Sequence, residues 1–269
     1  MRRRVSFPYV GWMAVFVVVP MVLVLGFSFT SADGGFTFEN FSEMTKYAPV
    51  FARSIWLAFL STVICLIIGY PAALVMSREK PIVASAALML LMLPMWMNFL
   101  LRTYAWMSIL ENNGFLNQLL GALKLPPVAI INTDGAVLLG MVYNYLPFMI
   151  LPIHTVLHKM DKHLLEAASD LGADSVKAFA RVILPLTLPG VLSGVTMVFV
   201  PSVSTFVISK LLGGGKTMML GDLIEMQFTG NAYNPYLGSA ISLVMMVMVL
   251  ASMTIMNRFG DGEESAVMM

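Results

Sequence analysis

Long apolar runs separated by shorter polar segments dominate the pattern of the chain. Crossing the roughly 30 Å hydrocarbon layer of a bilayer takes about 20 helical residues, and most of the runs reach that length. The pattern predicts six spans, of which the fourth is slightly short: Tyr9 to Phe29, Ser54 to Met76, Ile82 to Leu101, Ala136 to Ile153, Thr187 to Ser209 and Leu237 to Met256. We therefore expect an all-α integral membrane protein in which residues 1–269 form a single transmembrane domain surrounded by membrane lipid.

Composition supports a membrane protein. Hydrophobic residues make up 58% of the chain and charged residues 12%, whereas about a quarter of the residues in soluble domains are charged. The net charge of +1 predicts no nucleic-acid partner. The single cysteine, Cys65, excludes an internal disulfide and is expected to be a packing residue.

The basic residues predict the orientation. With a cytoplasmic N-terminus, ten Lys and Arg residues lie inside and six outside, and cytoplasmic loops usually carry the excess. The inner residues are Arg2, Arg3, Arg4, Arg78, Lys80, Lys159, Lys162, Lys177, Arg181 and Arg258, and the outer ones are Lys46, Arg53, Arg102, Lys124, Lys210 and Lys216. Both termini are therefore expected in the cytoplasm. We expect the first span to be retained, because its apolar run is longer than that of a cleaved signal peptide.

The segment from about 154 to 185 is the one substantial element on the predicted cytoplasmic side. Asp161 is expected to cap a first helix, and Gly172 to end it in a left-handed conformation. Asp174 or Ser175 is expected to cap a second helix. Proline cannot donate a backbone hydrogen bond, so Pro185 and Pro189 are expected to end that helix or break the chain into the next span.

Glu166 and Asp170, four residues apart, are predicted to form an acidic ridge on the first helix. From composition alone, the segment is equally typical of an amphipathic connector lying at the membrane surface. Its spacing nevertheless resembles the EAA loop of ABC-importer permeases, with Val where Ile is usual. The residues that match the motif are Glu166, Ala167, Ala168, Gly172, Val182, Leu184 and Pro185.

This resemblance implies a type I ABC importer permease fold in a bacterial inner membrane, with the loop acting as a coupling helix. It also implies the partners: two ABC ATPase subunits, a second similar permease and an extracytoplasmic solute-binding protein. ATP and Mg²⁺ are then used by the partner ATPase, and this chain binds no cofactor and is no enzyme itself.

Two apparent binding motifs fail on inspection. Gly213 to Thr217 looks like a phosphate loop, but the required earlier glycine is Lys210 and no strand precedes the motif. His154, His158 and His163 lack a convincing further ligand, so no metal site is expected. The predicted spans contain no Asp, Glu, Lys or Arg, which argues against the alternative of an ion-coupled carrier or a channel acting alone.

Four other segments resemble the permeases of spermidine/putrescine importers: Pro94 to Asn98, Arg102 to Trp106, Tyr145 to Met149 and Leu211 to Lys216. Lys210 departs from the acidic residue that many of these permeases carry at that point. A polyamine is therefore the expected solute, with other binding-protein-dependent solutes as the alternative.

Aromatic and amide side chains suit a polycation, because cation–π contacts contribute roughly 0.5 to 2 kcal/mol each. The candidate path residues are Trp96, Asn98, Tyr104, Trp106, Tyr143, Asn144 and Tyr145. Those that lie near span ends are equally typical of an interfacial aromatic belt. The candidate outer acidic contacts, for a cation or for the binding protein, are Glu111, Asp134, Asp222 and Glu225. Their alternative is ordinary solvated loop charge.

Overall fold

The computed structural model describes residues 9–31, 33–161, 163–230 and 232–267, and within them the chain is almost entirely helical. Helix α1 is Tyr9–Ser28. Helix α2, Glu39–Met44, continues through the 3₁₀ turn Thr45–Tyr47 into α3, Ala48–Arg78. Between α1 and α2 lies an isolated antiparallel bridge that joins Thr30 to Phe36. The predicted all-α class is confirmed.

The third predicted span is bent. Helix α4, Pro81–Met92, runs into the 3₁₀ turn Leu93–Trp96, and α5, Phe99–Leu110, leaves at an angle that gives the pair a 91° bend. Pro94 cannot donate the hydrogen bond that would continue α4. The side chain of Asn98 then accepts from the amide of Leu100 at 2.8 Å and so caps the new helix. The proline and the Asn98 cap therefore break the helix at a point where the apolar run predicts one continuous span.

The second, fourth, fifth and sixth predicted spans each extend beyond the predicted range at one or both ends, whereas the first ends one residue early, at Ser28. Helix α6 is Phe115–Ala122, α7 is Asp134–Lys159 and α8 is His163–Asp170. Helix α9, Ser175–Ala178, passes through the π-helical turn Phe179–Ile183 into α10, Leu184–Ser204. Among the residues that the structure describes, five helices are long and apolar enough to cross a membrane, and the bent pair makes a sixth if it counts as one span.

The expectation that Pro185 or Pro189 breaks the chain was wrong, because both lie inside the continuous helix Ser175–Ser204. The wider π turn, in which the Leu184 amide donates to the Phe179 carbonyl, shifts the hydrogen-bond register just before Pro185. The helix ends at Ser204, five residues earlier than the predicted fifth span. Three helices follow it: α11, Val207–Leu212, α12, Leu220–Thr229, and α13, Pro235–Val267.

Helices α3, α7 and α10 pack against one another and form the centre of the bundle. A Cβ at Gly190 would lie 3.0 Å from the Pro152 carbonyl oxygen, and one at Gly194 would lie 3.1 Å from the Met149 carbonyl oxygen. Glycine at these positions lets the backbones of α7 and α10 approach closely, as at many membrane helix interfaces. Helix α1 lies at the periphery, where it contacts α13.

Candidate functional site

Helix α8 is held by local hydrogen bonds at both ends. The Asp161 carboxylate accepts from the His163 amide at 3.0 Å. Gly172 has a φ of +79°, the left-handed conformation expected of it. The Ala173 amide donates to the Ala168 carbonyl at 3.0 Å, a Schellman arrangement that satisfies the end of the helix.

The second loop helix starts at the predicted cap. Asp174 accepts from the Lys177 amide at 2.8 Å, and the Lys177 ammonium lies 3.4 Å from the same carboxylate. From there, the helix runs without a break into α10. The second half of the loop and the central helix α10 therefore form one continuous helix.

The loop turns large apolar side chains outward. Leu165 and Phe179 pack against the main hydrophobic core, whereas Leu164, Leu171 and Val176 are 45%, 88% and 75% exposed. We call the outward set the loop face: Leu164, Glu166, Asp170, Leu171 and Val176. An exposed apolar patch rimmed by charge is typical of a protein interaction site.

The other motif positions have mixed exposure. Glu166 pairs with the His163 ring, with 3.0 Å between Oε2 and Nδ1, and both side chains are largely exposed. Ala167 and Pro185 are exposed, Ala168 and Val182 are half-buried, and Leu184 is partly exposed. The rings of His154 and His158 stack with centroids 5.7 Å apart at the end of α7.

A buried contact that the sequence did not reveal anchors the loop to the core. The hydroxyls of Tyr70 on α3 and Thr187 on α10 lie 2.7 Å apart. The Tyr70 ring also meets the Phe179 ring edge to face, with centroids 5.7 Å apart. The sequence contains one signal that could have revealed this contact: Tyr70 is a polar aromatic residue between Gly69 and Pro71 within an apolar run. The side of the loop that packs on the bundle is therefore fixed, while the opposite side remains exposed.

The structure separates the seven predicted path residues into two groups. Trp96 and Tyr104 are exposed on the surface of the chain, and Asn98 acts as the cap of α5. Trp106 and Tyr143 instead meet edge to face at 5.1 Å. They line an apolar groove of about 410 Å³.

Asn144 and Tyr145 form the deeper part of the second group. The Asn144 amide donates to the Gly140 carbonyl at 2.7 Å, and its oxygen is buried without a partner among the described residues. The Tyr145 hydroxyl donates to the Pro201 carbonyl at 3.4 Å. Polar groups are therefore present in the packing between α7 and α10.

Arg102, expected among the outer loop charges, is buried instead. Its guanidinium donates to the Pro94 carbonyl at 2.9 Å and lies 5.8 Å from the centroid of the Phe99 ring. The side chain thus ties α5 to the turn that ends α4. This contact follows from the bend, which brings positions 94 and 102 together.

The four candidate acidic residues occupy three places. Glu111 lines a cavity of about 340 Å³ together with Asn132 and Leu211, and Asp134 is exposed on the first turn of α7. Asp222 and Glu225 come together on α12.

The two carboxylates on α12 differ in their surroundings. Asp222 accepts from the Met219 amide at 2.9 Å, and Glu225 accepts from the Lys210 ammonium at 2.9 Å. Burial raises the pKa of the Asp222 carboxyl, and nearby hydrogen-bond donors oppose this effect only in part. The hydrogen bond from Lys210 lowers the pKa of Glu225.

The glycine-rich segment that resembles a phosphate loop is a tight turn between α11 and α12. Gly214 and Gly215 have φ values of +55° and +75°. The Leu212 carbonyl accepts from the Asn132 amide at 2.8 Å, and the Lys216 carbonyl accepts from Arg53 at 3.3 Å. These bonds join the turn to the segments that precede α7 and that begin α3.

Comparison with known proteins matches residues 1–262 to the family described as binding-protein-dependent transport system inner membrane component. A spermidine/putrescine transport system permease protein, PotB, from Haemophilus influenzae is 40% identical over 252 residues, covering 89% of this chain and 87% of the relative. Its Escherichia coli counterpart is 36% identical over 250 residues, covering 89% and 90%.

Solved structures share the fold at lower identity. A chain of a bacterial ABC transporter involved in the import of the acidic polysaccharide alginate matches with a TM-score of 0.82 and 15% identity, covering 96% of this chain and 94% of that one. A chain of the MetNI methionine ABC transporter matches with a TM-score of 0.60 and 17% identity, covering 82% and 97%.

Proposed function

The chain belongs to the family of binding-protein-dependent transport system inner membrane components, and we propose that it is the permease subunit of an ATP-driven polyamine importer. It is a multi-pass protein of the bacterial inner membrane. We place both termini in the cytoplasm, as the distribution of basic residues indicates. The loop face then lies on the cytoplasmic side.

The solute assignment is supported by the relatives that are 36% to 40% identical over most of their length and are named for spermidine and putrescine. The shared fold does not choose the solute, since the matching alginate transporter acts on an acidic polysaccharide. Side chains must therefore distinguish a polycation from other solutes.

The observation that carries the coupling role is the loop face, where Leu164 on α8, Leu171 in the following turn and Val176 on α9 are exposed. The same loop is joined to the core where the Phe179 ring meets the Tyr70 ring. We assign this face to the groove of an ABC ATPase subunit. Two such subunits, a second similar permease and an extracytoplasmic solute-binding protein complete the importer. ATP and Mg²⁺ are used by the ATPase subunits, and this chain supplies no catalytic group.

Transport then proceeds by alternating access. Closure of the ATPase pair on ATP moves α8, and the continuous helix Ser175–Ser204 carries that motion into the centre of the bundle. Close packing at Gly190 and Gly194 passes it to α7. Packed helices move as units because protein interiors resist deformation.

Along the path, we assign solute contacts first to the second group, namely Trp106, Tyr143, Asn144 and Tyr145. Their aromatic faces and amide oxygens suit ammonium groups. We assign the surface residues Trp96 and Tyr104 to contacts with lipid or a partner chain. Asn98 serves as the cap of α5.

The coupling role is tested by replacing Gly172 with Val in the assembled importer. A β-branched residue in the left-handed conformation costs about 1–2 kcal/mol, so the end of α8 should change shape. We expect ATP-driven uptake of labelled putrescine into proteoliposomes to fall by about tenfold or more, with normal membrane insertion.

Gly172→Asn is the matched control, since asparagine tolerates the left-handed conformation, and it should retain most of the uptake. Normal transport by the Val variant would exclude this role for the turn. Uptake of putrescine by this chain alone in liposomes would instead identify a self-sufficient carrier.

A further inference from the structure

Four phenylalanine rings meet at the end of α1, on the side of the bundle away from the loop face. Phe29 follows the last residue of α1, Phe36 and Phe38 lie in the connection to α2, and Phe41 is on α2. The centroid of the Phe29 ring lies 5.8 Å from that of Phe36, 5.6 Å from that of Phe38 and 5.1 Å from that of Phe41. The four rings therefore form one aromatic surface, which we call the phenylalanine cluster.

Two rings of the phenylalanine cluster point away from the protein. Phe36 and Phe38 are 76% and 63% exposed, and their rings meet edge to face with centroids 5.3 Å apart. Removing a phenylalanine side chain from water stabilises a protein by about 1.5–3 kcal/mol. Two such rings side by side are therefore unfavourable in a loop that faces only water, and an exposed apolar patch of this kind marks a contact.

Hydrogen bonds fix the backbone that carries the rings. Asn40 is buried, and its side-chain amide donates to the Ser28 carbonyl at 3.1 Å and to the Thr30 carbonyl at 3.0 Å. The Thr37 amide donates to the Phe29 carbonyl at 2.9 Å. Because these bonds join the connection and α2 to the last turn of α1, the phenylalanine cluster is held at the level where α1 ends.

Two spans place that level at the edge of the hydrocarbon layer. Helix α1 has 20 residues, which at a rise of 1.5 Å per residue gives a length of about 30 Å, the thickness of the layer. Helix α13 begins at Pro235, and the Tyr236 ring in its first turn meets the Phe27 ring at 5.8 Å. One span therefore ends where another begins, and the phenylalanine cluster follows directly.

Lipid fits this position better than a protein partner does. None of the most apolar stretch of α1 is buried against the described part of the chain, and the phenylalanine cluster prolongs this apolar surface. Asp33 and Glu39, close to the rings in sequence, are exposed. Interfacial segments bury an apolar face at the boundary of headgroups and acyl chains and keep charged groups outside it. A soluble binding protein would meet the permease in water, beyond this level.

We propose that the phenylalanine cluster inserts into the lipid leaflet on the side of the membrane away from the loop face. Phe36 and Phe38 then lie at the boundary between acyl chains and headgroups. Because the cluster is bonded to the end of α1, this insertion holds a peripheral helix at a fixed depth. The inference goes beyond the proposed function and is independent of the solute.

Photo-crosslinking in the assembled importer tests the proposal. Phe36→p-benzoylphenylalanine keeps an aromatic side chain, and the importer is reconstituted in liposomes of radiolabelled phosphatidylcholine. We expect irradiation to attach labelled lipid to this chain. Phe16→p-benzoylphenylalanine is the positive control, since Phe16 is 63% exposed within α1. Leu171→p-benzoylphenylalanine on the loop face should give no lipid adduct. A main product with the second permease or the binding protein, or the absence of a lipid adduct at Phe36, would overturn the proposal.

A second measurement determines the depth of the rings. The fluorescence of Phe38→Trp, taken as the difference from the wild-type importer, is quenched by lipids that carry a nitroxide. We expect stronger quenching by a nitroxide near the headgroup than by one at the end of the acyl chain. Phe16→Trp, inside the span, should show the reverse order. An absence of quenching at Phe38, or the same order as at Phe16, contradicts the insertion.

ATP-driven uptake of putrescine by the same preparations tests the permease assignment separately. The Phe38→Trp importer should transport like the wild type, because the phenylalanine cluster has no part in coupling. Lipid contact at Phe36 without uptake by the wild-type importer would overturn the proposed solute and leave the insertion intact. Uptake without lipid contact at Phe36 would do the opposite.

Discussion

The connector between α8 and α9 and the connector between α11 and α12 lie at opposite ends of the bundle. Each contains a glycine in the left-handed conformation, Gly172 in the first and Gly214 in the second, but the surroundings of the two glycines differ. A Cβ at Gly172 would meet no atom within 4 Å from the described residues beyond its chain neighbours, whereas one at Gly214 would overlap the Asn132 side chain. Next to Gly172, Leu171 is almost fully exposed, while Leu212, close to Gly214, is completely buried. The first connector leaves its surface open for a partner, and the second completes the core of the permease itself.

The difference shows how to interpret a polar segment in an apolar chain. Both connectors contain glycine, charge and helix caps, so composition alone does not separate them. The structure separates them: the connector at Gly172 carries exposed apolar side chains, whereas the connector at Gly214 is held by buried hydrogen bonds. The comparison predicts that changes near Gly214 affect stability, whereas changes near Gly172 affect assembly and coupling.

The largest expected effect is that of Gly214→Ala. The left-handed backbone costs about 1–2 kcal/mol for a residue with a Cβ, and overpacking against Asn132 adds about 1–3 kcal/mol. We expect the free energy of unfolding to fall by about 3 kcal/mol in all. Denaturant unfolding of the purified chain in detergent measures this.

Gly215→Ala is the control, because Gly215 is also left-handed, but in the described part of the chain no atom beyond its neighbours lies within 4 Å of the Cβ position. It should cost only about 1 kcal/mol. Equal losses for the two variants would mean that packing at Gly214 has no separate effect.

A smaller loss is expected for Ser54→Ala, which removes a bond between α3 and α12. The Ser54 hydroxyl is buried and accepts from the Leu220 amide at 2.8 Å. Its loss leaves a buried donor unsatisfied, so the free energy of unfolding should fall by about 2 kcal/mol. The same denaturant experiment measures it.

Ser193→Ala provides the comparison for this variant, since Ser193 is exposed and its hydroxyl donates to the Pro189 carbonyl of its own helix. It should change stability by less than about 0.5 kcal/mol. If Ser54→Ala were equally neutral, the outer connector would not be held by this bond.

Leu171→Ser should affect assembly but not folding. Because Leu171 is exposed, stability should stay within about 0.5 kcal/mol of the wild type. Binding of the ATPase subunits should weaken by about tenfold, the effect of losing about 1.4 kcal/mol at an interface. Titration of detergent-solubilised permease with purified ATPase subunits measures this affinity.

Leu123→Ser removes a similarly exposed leucine from a segment at the other end of the bundle. It should leave ATPase affinity unchanged. Equal weakening by both substitutions, or none by Leu171→Ser, would contradict the assignment of the loop face.

Local features of the loop were predictable because their causes lie within a few residues. The bonds of Asp161 and Asp174 and the left-handed Gly172 all lie within helix termini. Pro185 was misjudged because a π turn accommodates it, and the hydropathy pattern contains no sign of that turn.

The bend in the third span was only partly predictable. Pro94 and Asn98 are both visible signals, but hydropathy treats the segment as one run. The burial of Arg102 follows from that bend, because its partner is the Pro94 carbonyl. The burial of this charged residue was therefore missed together with the bend.

By itself, the sequence determined that the chain is helical and spans a membrane, and that Glu166 to Pro185 forms a capped helical loop. These properties depend on apolar length and on hydrogen bonds between near neighbours. Only the tertiary structure decided which side chains meet. Tyr70 and Thr187 are 117 residues apart in sequence, and Lys210 and Glu225 belong to different helices. Such contacts arise when helices pack, and hydrophobic periodicity does not encode the partner of each residue.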